Sequence, residues 1–466
     1  MKVSFFGAAK TVTGSKHLVE THDGVKILLD CGMFQGGGKQ SRELNSHFGF
    51  NPAEIDVVVL SHAHIDHSGL LPKLVADGFK GKIFCTASTH SLCEIMLYDS
   101  AHIQQSELKY VNRRRLKRDE EPLDPLYDED DVAKTLSRFV SVRYNEWVKI
   151  HDNVSLYLSD TGHILGSASV TLKLSDLENH RIITFTGDIG RRDDAILRGP
   201  ERFPASEIII CESTYGNRKH PKSIDASETL LRIVNETCVL QKGRLVIPAF
   251  SIDRTQELIY ILDRLESSGK LPPIPVFIDS PLSVKATMIM KEHEEDFNPE
   301  ILEYIKRDGD AFGFKNLHYI TDVADSKMIN ASKQPCIIIS ASGMAEAGRI
   351  KHHIAHTIED ARNTILIVGY CTPGSLGGAL RAGAKEVGIF GERKNVRARI
   401  EVVDGFSAHA DSDEMIDYLK MQDTGNLKNI FLVHGEAEVQ SDFKLLLMQQ
   451  GFPNVVIPDY GETFII

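Results

Sequence analysis

The sequence predicts an α/β protein in which one domain is interrupted by a second, parallel α/β unit. Three observations carry this expectation. Residues 1–60 alternate short apolar runs with glycine-containing turns, the pattern of a β-meander. From Ser227 to Val368, apolar strands alternate with helix-period stretches, the pattern of a parallel α/β unit. The residues with metal-ligand chemistry lie before about 212 and again after 405, so the stretch between them is an insertion. The expected divisions are 1–208 and 400–466 for the interrupted domain and 209–399 for the insertion.

In chain order, the meander runs are Val3 to Phe6, His17 to Glu20, Val25 to Leu29 and Val57 to Leu60. Helical periodicity follows at Leu70 to Val75 and from Ser88 to about Lys117. Strands resume at Ser155 to Leu158, Ser169 to Leu174, Ile182 to Thr186 and Ile208 to Cys211. The insertion reads as a helix, the strand Arg244 to Pro248, a second helix to about Ser267, and the strand Val276 to Ile278. Long helical stretches and the strands Cys336 to Ser340 and Thr364 to Val368 complete it. After Arg397 the meander style returns, with Ile400 to Val403, a helix over Ser412 to Met421 and the strand Ile430 to Val433.

Bulk properties bound the function. At 466 residues, 42% hydrophobic and 25% charged, the chain has an ordinary globular composition and room for two or three domains. No apolar run approaches the roughly 20 residues of a membrane span, and the start, Met1 to Gly7, is too short and too soon interrupted for a signal peptide. Seven scattered cysteines without a Cys-x-x-Cys pair are expected to be reduced core residues of a cytoplasmic protein. The net charge of −12 excludes coating of nucleic acid by bulk electrostatics but not a nucleic-acid enzyme, since bound metals and a local groove can hold phosphates.

The most informative segment is Ser61-His62-Ala63-His64-Ile65-Asp66-His67, directly after the apolar run Val57 to Leu60. Three imidazoles and a carboxylate on a turn leaving a buried strand serve no packing purpose but suit zinc, which takes neutral His nitrogens and carboxylate oxygens. His62 and His64 can grip one ion from the same side of the turn while Asp66 and His67 point elsewhere, a geometry that suggests two adjacent metals. Asp30, His163, Asp188 and His434 each sit at the end of an apolar run next to glycine. Singly, each has an ordinary alternative as a cap or turn residue. Together they mark strand ends from which loops can converge on one site.

These residues, in this order, resemble the motifs of metallo-β-lactamase-fold hydrolases. Glu212-Ser213-Thr214-Tyr215-Gly216, Phe406-Ser407-Ala408-His409-Ala410-Asp411 and Val433-His434-Gly435-Glu436 resemble motifs A, B and C of the β-CASP nucleases. That group includes the pre-mRNA 3′-end processing endonuclease and ribonuclease J. The match spans nearly the whole chain, and His434 as motif C is similar to the RNA-acting branch. The resemblance implies an αββα sandwich with the inserted β-CASP unit over an active-site cleft, and the chain is expected to lack extra flanking RNA-binding or assembly domains. It implies two Zn²⁺ ions, one held by His62, His64 and His163, the other by Asp66, His67 and His434, with Asp188 bridging and Asp30 fixing a ligand from behind. It also implies a ribonuclease acting on single-stranded RNA, as endonuclease, 5′→3′ exonuclease or both. His409 is expected to be its general acid, Glu212 to hold His409 protonated, and Asp66 to count with the catalytic residues as well as with the ligands. Asp411 is expected to cap the following helix.

Weaker signals leave alternatives open. Ser340, Ser342 and Gly343, between a strand and a helix, form either a phosphate cradle or an ordinary helix start. Glycine-rich Gly369 to Gly378 is either a family segment or a tight turn. Arg254 can reach a phosphate or pair with a carboxylate. His353, in the cluster His352, His353 and His356, is expected on a helix surface or against substrate rather than on a metal. The run Arg113 to Arg118 is a solvated helix end or an RNA track. Competing functions are a hydrolase of the same fold acting on DNA or a small ester, thioester or lactam, and a non-catalytic RNA-binding scaffold. An oxygen-reducing diiron relative would carry Glu in place of His64. Assembly as a homodimer is left open.

Overall fold

Aliphatic and β-branched runs of two to nine residues, most stopped by glycine or a polar cluster, dictate short strands. The computed structural model describes residues 1–466 apart from 37, 177–178, 221–225, 370, 373 and 404–406. It divides into two units, Met1–Lys219 with His409–Ile466, and His220–Ala408.

The first unit holds two seven-stranded sheets. One contains β1 (Lys2–Phe5), β2 (His17–Glu20), β3 (Lys26–Leu29), β4 (Val57–Val59), β5 (Lys82–Cys85) and β6 (Phe139–Ser141). The other contains β7 (Val148–His151), β8 (Val154–Asp160), β9 (Ala168–Asp176), β10 (Asn179–Phe185) and β11 (Ile208–Glu212). In the second unit lie β12 (Leu245–Pro248), β13 (Val276–Ile278), β14 (Leu317–Tyr319), β15 (Ile337–Ser340), β16 (Thr364–Ile367), the hairpin β17 (Glu386–Ile389) and β18 (Glu392–Asn395), and β19 (Arg399–Val402). The chain then returns to the first unit with β20 (Asn429–Val433), β21 (Val455–Val456) and β22 (Thr463–Ile465). The sheet orders there are β22-β1-β2-β3-β4-β5-β6 and β21-β20-β11-β10-β9-β8-β7.

The expected meander holds through β3; β4 then lies parallel to β3, and β5 and β6 continue parallel. Alternate residues of both sheets point at each other and make one core, with Val3, Phe5, Ile27, Leu29 and Val59 facing Leu156, Leu158, Val170, Leu172, Phe185, Ile210 and Phe431. Each such side chain, fully buried, contributes about 1.5–3 kcal/mol of transfer free energy. The other face of the second sheet, through Ile209, Cys211, Ile430 and Leu432, packs under helices Ser412–Lys420 and Ala437–Gln449. Helix Ala87–Leu116 borders β6, which completes the αββα order. Asp411 caps Ser412–Lys420 in a reciprocal box with Glu414. Arg113 and Arg114 end the long helix in solvent, and Arg115 folds back onto Glu120 at 3.0 Å.

The second unit is a six-stranded, all-parallel sheet in the order β14-β13-β15-β12-β16-β19. Its central strands, Ile-Ile-Ile-Ser and Leu-Val-Ile-Pro, are apolar without alternation and buried on both faces, as a helix-covered parallel sheet requires. Two sequence expectations are corrected here. Residues 399–402 do not resume the meander: they pair parallel with β16 at the edge of this sheet. Residues 209–212 are not insertion, because β11 lies between β10 and β20 in the first unit. The divisions at 208/209 and 399/400 therefore shift to 219/220 and 408/409. The apolar run 400–403 looks the same in either context, so only strand pairing decides its owner.

Candidate metal centre

Six strands aim their carboxyl ends at one place. Asp30 follows β3, the 61–67 turn follows β4, His163 follows β8, Asp188 follows β10, Glu212 ends β11 and His434 follows β20. Close backbone approach brings these loops together. A Cβ on Gly190 would fall 2.0 Å from the Gly162 carbonyl oxygen, and a Cβ on Gly32 would fall 1.6 Å from that of Asp66. Only glycine permits either contact.

His62 Nε2 lies 3.1 Å from His64 Nδ1, and His163 Nε2 lies 3.2 Å from the same atom. Asp188 Oδ2 stands 3.6 Å from His62 Nε2 and 3.5 Å from His163 Nε2. A tetrahedral ion with bonds near 2.0–2.1 Å separates its ligands by about 3.3 Å, so these four atoms can hold one. A second group lies beside it. His67 Nε2 is 3.2 Å from His434 Nε2, which is 3.3 Å from Asp66 Oδ2. Asp188 presents its other oxygen here, 3.3 Å from His67 Nε2. Asp188 thus offers one oxygen to each group, and its Oδ1 is buried without a hydrogen-bond partner among the described residues.

The protonation pattern suits cation binding. Burial and the neighbouring imidazoles push His62 and His163 well below the ordinary histidine range, and burial brings His64 to about 4. All three are neutral at pH 7, the form that ligates. Burial opposes the charged form of Asp188, yet the surrounding imidazoles hold its carboxyl well below the usual range. Burial also opposes charging of His67, but Asp188 and Asp30 pull it well above the ordinary value. Its place between two carboxylates calls for positive charge, which a metal can supply instead of a proton. The residues present therefore fit divalent metal.

Tautomers are fixed from behind. Asp30 Oδ2 accepts from His67 Nδ1 at 2.6 Å, leaving Nε2 free to ligate. The Ser61 hydroxyl donates to Asp30 at 2.9 Å and so accepts from His62 Nδ1 at 3.0 Å. Thr214 Oγ1 donates to the His434 carbonyl at 3.1 Å and accepts from His434 Nδ1 at 3.0 Å. Such outer contacts typically govern metal affinity by about 10–100-fold. Sequence reasoning placed Asp30 here but missed Ser61 and Thr214, whose only signal was adjacency to His62 and to Glu212.

Beside the two groups, His409 Nδ1 bonds Glu212 Oε1 at 3.2 Å, while its Nε2 lies 4.0 Å from Asp188 Oδ2. Glu212 is buried and is itself held by the Ile189 N–H at 2.6 Å and the Thr214 N–H at 3.2 Å. Burial disfavours the imidazolium, but the Glu212 carboxylate outweighs it and raises His409 to about 9. The site thus sets one protonated imidazole beside two groups of donors that could each hold a cation.

Apart from the Arg113–Arg118 run, the weaker candidates belong to the second unit, and most serve its interior. His353 is not a surface histidine: both ring nitrogens are engaged, Nε2 with Asp279 at 2.7 Å and Nδ1 with Asn330 at 2.9 Å. The apolar side of its helix faces the sheet, and the buried Asp279 carboxylate draws the histidine in. Arg254 takes the carboxylate-pairing alternative, with Glu257 and Asp253. Ser340 is buried and donates to the Asp279 carbonyl at 2.6 Å. Ser342 accepts from the Ala347 N–H at 3.4 Å, and Gly343 lies against the Phe250 ring. Phe406, Tyr370 and Pro373 of the motif and glycine-rich segments lie outside the described residues.

A fold that gathers imidazoles and carboxylates at strand ends around cation sites defines a metal-dependent hydrolase. Comparisons agree. Residues 18–205 match the metallo-beta-lactamase superfamily domain, 255–380 the Beta-Casp domain, and 393–458 the Zn-dependent metallo-hydrolase RNA specificity domain. The chain is 33% identical over 462 residues to the protein named Ribonuclease TTHA0252 of Thermus thermophilus, covering 99% of both chains. It is 28% identical to the RNase J-like protein of Methanocaldococcus jannaschii, over 96% of this chain and 95% of that one. It is also 30% identical to the transcription termination factor FttA of Methanosarcina mazei, over 95% of this chain and 68% of that one. The chain belongs to the β-CASP family of metallo-β-lactamase-fold enzymes.

Proposed function

We propose that this protein is a two-zinc ribonuclease that hydrolyses RNA phosphodiester bonds with His409 as general acid. The observation that carries this reading is the His409–Glu212 pair set against the cation-binding groups. Water activation alone suits many substrates, but a phosphodiester expels a poor alkoxide leaving group that needs a proton. RNA as substrate is supported by the matched RNA specificity domain and by the names of the relatives. Seven buried, free cysteines fit the reducing cytoplasm, and no helix among the described residues is long and apolar enough to cross a membrane.

In this reading His62, His64 and His163 would hold one ion and Asp66, His67 and His434 the other, with Asp188 offering one oxygen to each group. When bound, such ions would supply water activation near neutral pH and positive charge for the phosphate oxygens. The protein's own residues do the rest. Asp30, Ser61 and Thr214 keep the ligating nitrogens free of protons. Glu212 holds the His409 Nδ1–H, so Nε2–H points into the site and passes its proton to the departing 3′-oxygen. Afterwards His409 is neutral with Nδ1–H still on Glu212, ready to recharge from solvent.

Labelled single-stranded RNA, single-stranded DNA and a chromogenic β-lactam, each with and without chelator, test the reading. RNA cleavage that chelator abolishes and zinc restores is expected. Turnover of the β-lactam alone, or RNA binding without cleavage at any metal load, would overturn it. A circular RNA added to the same assay is cut only by an endonuclease.

The His409 titration gives a pH prediction. Because its folded pKa is raised to about 9, the acid form persists through neutral pH and is lost as pH climbs through that value. Glu212→Gln removes the main raising influence, so the alkaline limb of kcat moves to lower pH. A pH–rate profile from about pH 6 to 10 reads the shift; an unmoved limb would separate Glu212 from the acid's charge.

A further inference from the structure

Lys16 is fully buried, and no carboxylate among the described residues pairs with it. Its ammonium donates to the Gly14 carbonyl at 3.0 Å and the Gly32 carbonyl at 2.8 Å, and lies 4.3 Å from the centre of the Phe34 ring. Two carbonyls and a ring face thus meet the three N–H directions of one ammonium. Burial lowers it only to about 8, so the charge persists at neutral pH. A buried cation without a counter-charge is expensive. Its retention calls for a task.

The contacts of the clasped segments identify that task. The Ser15 N–H, next to Gly14, donates to the Asp66 carbonyl at 2.8 Å, and the Ser15 carbonyl accepts from the Gly32 N–H at 2.9 Å. The Cys31 N–H, next to Gly32, donates to the His67 carbonyl at 2.8 Å. At the other end of the same loop, Ala8 donates to Thr13 and accepts from the His434 N–H at 2.7 Å. The loop from Gly7 to Lys16 therefore touches the backbone of Asp66 directly and of His434 directly, and reaches His67 through Cys31. The first group has its own fastening in the His163 N–H on Ser167 Oγ at 2.9 Å, and the loop reaches it only at two removes, through Ser15 Oγ on Asp30 at 3.2 Å and the Ser61 hydroxyl that Asp30 holds behind His62.

We propose that Lys16 is a positioning residue that sets the Asp66–His67–His434 group for its metal, by tying the Gly7–Lys16 loop to the segment after β3. The inference rests on the two-metal reading above. Removing the ammonium leaves two buried carbonyls without donors and frees the loop that touches that group's backbone directly.

Chelator competition on wild type and Lys16→Met, with zinc as the probe, tests this, together with melting of the metal-free proteins. The expected result is one zinc bound at least about 10-fold more weakly, the size typical of outer-contact losses, with the other clearly less affected and RNA cleavage returning at high zinc. In a His434→Ala background Lys16→Met should weaken binding no further. Lys16→Gln, which keeps donors for the carbonyls, should recover most of the affinity and covers the case in which the methionine variant does not fold. Two unchanged zinc affinities in Lys16→Met would overturn the proposal. Equal loss of both ions, or a lowered melting temperature of the metal-free variant with the zinc affinities equal to wild type, would show a merely structural lysine. A wild type that binds a single zinc would overturn the two-metal reading instead, and the stoichiometry tells the two failures apart.

Discussion

Asp188→Ala should strip bound metal and abolish RNA cleavage together, with a rate loss of at least about 10³-fold, beyond the 10–100-fold typical of losing a contact behind a ligand. Asp188 Oδ2 faces His62 and His163, and its Oδ1 faces His67 at 3.3 Å. Its removal takes the one carboxylate common to both groups and leaves imidazoles crowded at 3.1–3.2 Å with less negative charge to bind a cation between them. Metal content by atomic emission and cleavage of labelled RNA, measured on the same preparation, check this. A variant that keeps its full metal load but loses cleavage would remove Asp188 from the ligands and make it a group acting on substrate.

His409→Ala should behave in the opposite way, losing about 10²–10⁴-fold in cleavage while metal content stays at the wild-type level. His409 stands beside the donors but is tied to Glu212, and its Nε2 is 4.0 Å from Asp188. The nature of the loss is as testable as its size. A general acid matters only when the leaving group is poor. With bis(p-nitrophenyl) phosphate, whose phenolate departs without a proton, the variant should approach wild-type turnover. An equal loss on both substrates, or loss of metal, would make His409 a structural residue or a ligand.

These variants separate the parts of the site that local sequence encodes from those it does not. The 61–67 turn, Asp30, His163, Asp188 and His434 are legible because each sits at the end of an apolar run beside a turn-forming residue. A strand followed by a loop places the ligand at the strand's carboxyl end whatever the rest of the chain does. Glu212 and His409 are legible only through motif resemblance, since nothing local pairs residues 197 positions apart. Ser61 and Thr214 pass unnoticed because a hydroxyl acquires its role from the ring nitrogen it meets. His353 misleads for a related reason. Its three-histidine neighbourhood suggests exposure, but the partner that buries it, Asp279, lies 74 residues away. The strand Arg399–Val402 misleads because an edge strand carries no mark of the sheet it joins.

The sequence alone determined the interrupted α/β architecture, the strand ends that bear ligands and the choice of imidazole and carboxylate as their chemistry. All of these follow from short-range patterns of apolar run, turn and donor type. Tertiary structure alone decided which donors come together, that Asp188 faces one oxygen to each of two groups, which nitrogen of each histidine meets an outer partner, and which unit owns residues 209–212 and 399–402. Each depends on distances between segments far apart in the chain, and such distances exist only once the two sheets of the first unit have packed and their loops, with glycine at the points of closest approach, have met.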